Sequence, residues 1–311
     1  MNIVFMGTPD FAVESLSKIY DNGHEVLAVV SQPDRPSGRG MKLKPTPVKE
    51  YAESKNIKVY QPEKVRKNIE FIEILKKMKP DVIVVVAYGQ ILPEEILNIP
   101  KYGCINVHGS LLPKYRGSAP IQWSIINGDK TTGITTMYMD KGMDTGDMIL
   151  KEEIEISDDD TFGSLYEKLK KLGGKLIIET LEKISEGMAP RTKQPDDFTL
   201  APMIEKETCK IDWNKSAVEI RNLVRGLNPM PVAYTTLDNM NYKIWMCEVL
   251  DDSLNDETPG TILYANEKEG LCVATGKGVI GITEIQAPNS KRMFIKDYLR
   301  GNKITVGKIL L

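Results

Sequence analysis

Two polar side chains in the stretch NVHGSLLPKYRG, Asn106 and His108, carry the first chemical signal in this chain. Residues i and i+2 of a strand share a face, so an amide and an imidazole at these positions point the same way. An asparagine amide offers a neutral hydrogen bond to a developing oxyanion. A histidine donates a bond or moves a proton near neutral pH. Together they can bracket one reacting carbonyl. A third group usually orients such an imidazole. The best candidate is Asp144 in MDKGMDTGDMI, between Gly142 and Gly146, with Asp140 and Asp147 as rivals. Taken singly, a lone histidine is more often a satisfied structural group, and an aspartate in a glycine-flanked bend is more often a turn residue.

The elements that would position these residues alternate between strands and helices. Strands are predicted over 3–6, 25–30, 57–60, 82–86, 104–107, 135–139 and 148–156. Helices are predicted over 11–20, 69–78, 120–127 and 162–184, with another opening at the cap-and-proline pair Thr46-Pro47 and running to about Lys55. Val82 to Val86 is a continuous β-branched run, as expected of a central strand buried on both faces. The alternation predicts a Rossmann-like α/β domain with a mostly parallel sheet. Ligands of such sheets sit beyond the carboxyl ends of the strands, near a switch in strand order, and His108 falls at such an end. The turn Gly7-Thr8-Pro9-Asp10 lacks the G-x-G-x-x-G pattern, so neither nicotinamide (NAD) nor flavin is expected.

Residues 187–202 hold three prolines and little periodicity, which reads as a linker. A helix over 216–227 and five short strands between 232 and 285 follow, predicting a small antiparallel, OB-like β-barrel. The expected domains are 1–187 (catalytic), 188–205 (linker) and 206–311 (barrel).

The chain has 311 residues, 41% apolar and 27% charged, with a net charge of −2. That suits about two globular domains. The four cysteines are scattered, with no C-x-x-C pair and no histidine cluster, so neither structural zinc nor a disulfide framework is expected and a reducing cytoplasm fits. The N-terminus lacks the pattern of a signal peptide. No apolar run approaches the roughly 18 residues of a membrane span.

Four strings carry a resemblance to a known family: GTPDFA (7–12), QPDRPSGRG (32–40), NVHGSLLPKYRGSAPIQW (106–123) and GITTMYMDKGMDTGD (133–147). With IDWNKSA (211–217), LNPMP (227–231) and KDYLRGNK (296–303) in the same order, the chain resembles the methionyl-tRNA formyltransferases over essentially its whole length. These belong to the enzymes that use 10-formyltetrahydrofolate. The resemblance implies formyl transfer to the methionine of initiator tRNA, for translation initiation, with no metal. It implies Asn106, His108 and Asp144 as the catalytic set and Ser110, Leu111, Leu112 and Pro113 as a folate-binding segment. Tyr88, Gly89, Gln90, Ile91 and Leu92, just past the central strand, would add to that pocket. The family often reads N-P-W-P where this chain has Asn228-Pro229-Met230-Pro231, and Met230 is expected to fill an apolar gap.

A basic stretch suits an RNA partner despite the negative net charge. Arg35, Arg39, Lys42, Lys44 and Lys49 lie in a segment with no acid, whose prolines and glycines predict an irregular, mobile loop that reaches phosphates. From Gln286 onward, six basic residues, Lys291 and Arg292 among them, oppose Asp297 alone. In the family such a loop and the C-terminal domain hold tRNA, with Arg39 matching the loop arginine tied to that contact. The expected assembly is a monomer. The competing readings are a sugar-amine formyltransferase or a formyl-folate hydrolase, which keep the catalytic set without needing the basic loop, and an RNA-binding or folate-sensing module without turnover.

Overall fold

A run of β-branched residues with no polar interruption forms the middle of the first sheet. The computed structural model describes residues 1–37, 42–253 and 256–311. In chain order the elements before residue 202 are β1 (Asn2–Gly7), α1 (Asp10–Asp21), β2 (Glu25–Val30), β3 (Arg35–Ser37), β4 (Lys42–Lys44), α2 (Pro47–Ser54), β5 (Val59–Tyr60), α3 (Ile69–Met78), β6 (Val82–Val86), α4 (Glu94–Leu97), β7 (Cys104–His108), β8 (Arg116–Gly117), α5 (Pro120–Ile126), β9 (Thr131–Tyr138), β10 (Met148–Glu155), α6 (Phe162–Ser185) and β11 (Leu200–Ala201). After it come α7 (Ala217–Gly226), β12 (Ala233–Leu237), β13 (Met240–Asp251), β14 (Ile262–Asn266), β15 (Gly270–Ala274), β16 (Val279–Gln286), β17 (Met293–Phe294) and α8 (Ile295–Gly301). The chain divides into two compact units, one of residues 1–120, 132–154 and 166–201, the other of residues 121–131, 155–165 and 202–311.

The first unit's sheet has the order β10-β9-β7-β6-β1-β2-β5. β1, β2, β5, β6 and β7 run parallel, and β9 is antiparallel to β7. All five residues of β6 are buried. On one side, Phe71, Ile72 and Leu75 of α3 pack with Val4, Met6, Val30, Ile83 and Val85. α1 buries Phe11, Leu16 and Ile19, and the Phe11 N–H donates to Tyr166 Oη at 2.7 Å. Gly7 closes β1 because a Cβ there would lie 2.8 Å from that of Ala12. Strand order reverses between β1 and β6, and the loops at this switch are tied together. Thr8 Oγ1 and Gln32 Nε2 both donate to the Tyr88 carbonyl, at 3.0 and 3.2 Å.

Two regions depart from the sequence reading. The basic segment is not irregular throughout: β3 and β4 pair antiparallel, Arg35 opposite Lys44. Proline is tolerated there because an isolated two-stranded ribbon has edges on both sides. Residues on either side of the ribbon hold its ends together. Lys49 Nζ donates to Asp34 Oδ2 at 2.6 Å and to Gln61 Oε1 at 3.0 Å, and Gln61 Nε2 donates to Asp34 Oδ1 at 2.7 Å. Thr46 caps α2 by accepting from the Lys49 N–H and bonds the buried Ser31 hydroxyl at 2.6 Å. The second region is the stretch read as a linker. It lies along the first unit: Thr192 pairs with Met148, and β11 pairs with β8.

In the second unit a capping box, Ser216 with Glu219, starts α7. Its apolar face packs Ile220, Val224 and Leu227 with Trp213, Ile244, Ile262 and Ile282. The sheet has the order β12-β13-β16-β15-β14, with β17 on β16, and its pairs are antiparallel. Among the described residues, strand pairing does not close β12 onto β14 into a barrel. Residues 307–311 bond to both edges instead. Leu311 exchanges hydrogen bonds with Thr236, the Leu310 N–H donates to Gly260 O, and the Gly307 N–H donates to Ile262 O. Met230 fills no apolar gap; it is 68% exposed. All four cysteines are buried. Burial pushes the thiols of Cys104 and Cys247 up to about 12 and raises those of Cys209 and Cys272. No helix among the described residues is long and apolar enough to cross a membrane.

Candidate active site

Two strands, β7 and β8, and a glycine-flanked turn converge on one carboxylate. β7 delivers Asn106 and His108 on one face, and both reach Asp144. Asn106 Nδ2 donates to Asp144 Oδ1 at 3.3 Å, and His108 Nδ1 stands 3.7 Å from Asp144 Oδ2. The Gly117 N–H donates to Asp144 Oδ2 at 2.9 Å. The rivals lie elsewhere. Asp140 accepts from the Gly142 N–H and the Thr145 hydroxyl to shape the turn, and Asp147 faces Arg191 at 3.8 Å.

The turn is built to present that carboxylate. Asp144 has φ of 55°, a left-handed conformation that aspartate tolerates better than most residues. Gly146 lets the chain pass: a Cβ there would lie 1.7 Å from the Tyr138 carbonyl oxygen.

His108 is 6% exposed, and its Nε2 lies 2.9 Å from the Tyr115 carbonyl oxygen. A carbonyl only accepts, so Nε2 carries a hydrogen. In the neutral ring, Nδ1 is therefore the bare nitrogen, and it is the one turned toward Asp144.

The loop after His108 is held from β9. Thr135, opposite His108 in the ladder, donates from Oγ1 to the Ser110 carbonyl at 2.7 Å and accepts from the Leu112 N–H at 3.1 Å. Ser110 donates to the Lys114 carbonyl. Lys151 Nζ donates to the Leu112 carbonyl at 3.2 Å. Leu112 packs with Met137 and Met148 in a small core, Leu111 lies against Gly133, and the Leu112–Pro113 bond is cis. Ser110, Leu111, Leu112 and Pro113 therefore form a fixed turn directly beside the Asn106–His108–Asp144 cluster.

The strand-end residues divide by role in the fold. The Tyr88 ring is in the α3-side core, 1% exposed, and its hydroxyl has no partner among the described residues. Burial raises its pKa. What Tyr88 offers the strand end is its backbone carbonyl. Gly89 has φ of +86°. Gln90 is engaged with the 62–65 segment, accepting from the Val65 N–H and donating to the Glu63 carbonyl. Leu92 is buried, and Ile91 is 75% exposed.

Among the basic residues, Arg35 and Lys44 are exposed opposite one another on the ribbon, and Lys42 lies in β4. Arg39 lies outside the described residues. Lys49 is spent on Asp34 and Gln61. In the second unit Lys291 is exposed. Arg292 is ion-paired with Glu284 and stacks over the Trp245 ring, 4.6 Å from its centroid.

Sequence reasoning missed the groups that hold the cluster: the Tyr115 carbonyl, the Gly117 amide, Thr135 and Gln194. Tyr115, Arg116 and Gly117 were in view as part of the motif, but a backbone carbonyl or amide leaves no mark in the residue type. Thr135 and Gln194 reach their partners only through the tertiary fold.

Comparison with known proteins bears on what such a site does. The family model described as formyl transferase matches residues 1–181, and the one described as formyl transferase, C-terminal domain, matches residues 203–303. The methionyl-tRNA formyltransferase of Clostridioides difficile (strain 630) is 55% identical over 311 residues, covering 100% of both chains. That of Acetivibrio thermocellus is 53% identical over 311 residues, covering 100% of this chain and 99% of the relative. Among solved structures, an N-formyltransferase from Helicobacter canadensis, in complex with folinic acid and dTDP-3-aminofucose, superposes with a TM-score of 0.67 at 20% identity. It matches 94% of this chain and 99% of that one, a likeness of fold.

Proposed function

Because the chain belongs to the formyl transferase family, as a full-length relative of its methionyl-tRNA formyltransferases, we propose that it formylates the α-amino group of methionine on initiator tRNA with 10-formyltetrahydrofolate as donor. One observation carries the reading of the site: a single carboxylate, Asp144, lies against both the Asn106 amide and the bare nitrogen of a buried histidine.

The roles follow from that geometry. Attack of the amine on the formyl carbon puts negative charge on the formyl oxygen. The Asn106 amide and a protonated His108 Nδ1 donate to it. Asp144 orients His108 and, through water, takes the proton that the amine must lose. Folate N10 departs carrying one proton, so the exchange balances. The turn Ser110-Leu111-Leu112-Pro113 and the strand end 88–92, with Ile91 exposed, are the surface we assign to the folate. Arg35, Arg39, Lys42 and Lys44, with Lys291 and Arg292, are assigned to tRNA phosphates. On this reading residues 1–187, with 188–201 packed along them, are the catalytic domain and 206–311 a tRNA-binding domain of a monomeric, cytoplasmic enzyme.

A sugar-amine acceptor is the second reading, favoured by the likeness of fold to the Helicobacter canadensis enzyme. One assay separates the two: purified protein with 10-formyltetrahydrofolate and, side by side, initiator methionyl-tRNA, elongator methionyl-tRNA and a nucleotide-linked amino sugar. Formyl-methionyl-tRNA from the initiator species is the expected product. Formylation of the sugar alone would replace the reading.

A further inference from the structure

Three consecutive residues support the catalytic cluster from one side. The Tyr115 carbonyl holds His108 Nε2, and the Gly117 amide holds Asp144 Oδ2. Between them, the Arg116 side chain is turned the other way, buried against the Phe198 ring at 4.4 Å, and its Nε donates to Gln194 Oε1 at 3.0 Å. Gln194 is itself 5% exposed. Its Nε2 donates to the carbonyls of Asp144 and Gly146, each at 2.8 Å. One amide thus joins the 115–117 segment, whose Tyr115 carbonyl bonds His108, to the backbone of the turn that presents Asp144.

We infer that Gln194 is a positioning residue for formyl transfer: it sets the height of the Asp144 carboxylate relative to His108 and Asn106. This rests on the roles proposed above for that cluster. Two features call for such a residue. Asp144 sits in a left-handed conformation, which persists where surrounding bonds over-determine it. Its carboxylate reaches Nδ1 at 3.7 Å, so a small shift of the turn decides whether the two groups act together. Only an amide satisfies all three partners, since two are acceptors and one is a donor. The neighbouring segment reinforces the arrangement. Thr199 Oγ1 accepts from the Tyr115 N–H, and the Thr199 carbonyl accepts from the Arg116 N–H.

The test uses Gln194→Glu, which keeps an acceptor for Arg116 and turns an oxygen on the two carbonyls. Gln194→Met, similar in shape with no polar end, is its companion. Both are assayed with initiator methionyl-tRNA, after thermal melting has established the folded fraction. The expected result is a kcat lowered by about 10–100-fold, with both KM values within about twofold. In the Asp144→Asn background the same change costs nothing further, because the group it positions is gone. Wild-type kcat in either folded variant would overturn the inference. So would a full additional loss in the Asp144→Asn background, or failure of both variants to fold, which would assign Gln194 to stability alone. A wild-type protein that formylates no methionyl-tRNA would instead defeat the proposed function.

Discussion

His108 has one nitrogen committed and one free, and that asymmetry makes its substitution informative. The Tyr115 carbonyl fixes which nitrogen faces Asp144, so the ring needs no rearrangement to accept a proton where charge develops. On the roles proposed for this cluster, replacing it with alanine removes a donor to the oxyanion and the group that Asp144 orients. We expect His108→Ala to lower kcat by at least about 10²–10³-fold while tRNA affinity, read by filter binding, stays within about twofold. Near-normal turnover would remove His108 from the mechanism. The i, i+2 spacing of Asn106 and His108 was readable without coordinates because strand geometry alone puts both on one face. The choice of Asp144 over Asp140 and Asp147 was not readable from spacing, since all three are equally plausible in a glycine-rich turn. The fold separates them by what each carboxylate meets: Asn106, His108 and the Gly117 amide for Asp144, its own turn for Asp140, and Arg191 for Asp147.

The basic ribbon shows where local reading of elements succeeds and where it stops. The start of α2 at Pro47 was legible because Thr46 is a side-chain cap followed by a residue with no N–H to waste. The pairing of β3 with β4 was not, because prolines and glycines mask it and the bonds that bring its ends together come from Gln61, far along the chain. That clamp has a pH signature. Hydrogen bonds from Gln61 and then Lys49 hold the Asp34 carboxyl below its ordinary value of 3.8. Its contribution to stability is thus present above that value and lost as pH falls through the lower folded one. Lys49, raised by Asp34, keeps its share until pH rises past the ordinary lysine range. In urea denaturation, Asp34→Asn is expected to be less stable than wild type at pH 7, and the gap should close as pH falls below the carboxyl's lowered folded value. A gap that persists undiminished at low pH would show that the clamp does not depend on the carboxylate's charge. The same spacing logic that read a linker from its prolines missed that β11 pairs with β8 and that Gln194 bonds the turn carrying Asp144, because partners distant in sequence leave no local pattern.

A molecule with a net charge of −2 that binds RNA must do so through local asymmetry. Arg35 and Lys44 are exposed and form no ion pair among the described residues, whereas Lys49 and Arg292 already have carboxylate partners. The working charge is therefore smaller than the count of basic residues implies. We expect the KM for methionyl-tRNA to rise roughly tenfold or more between 50 and 200 mM salt, with the folate KM changing far less. Replacing Arg35 and Lys44 together by alanine should flatten that dependence by about one unit of slope per lost phosphate contact. An unchanged slope would place the RNA elsewhere.

The burial of every cysteine has a practical consequence. Thiol reagents attack the thiolate, and buried thiols pushed as high as about 12 are almost never in that form at neutral pH. The folded protein is thus a silent background for maleimide chemistry with its own cysteines left in place. A cysteine introduced at Leu43, 68% exposed on the ribbon, would be the thiol such a reagent finds. A fluorophore attached there could follow, in real time, the arrival of RNA at the strand pair.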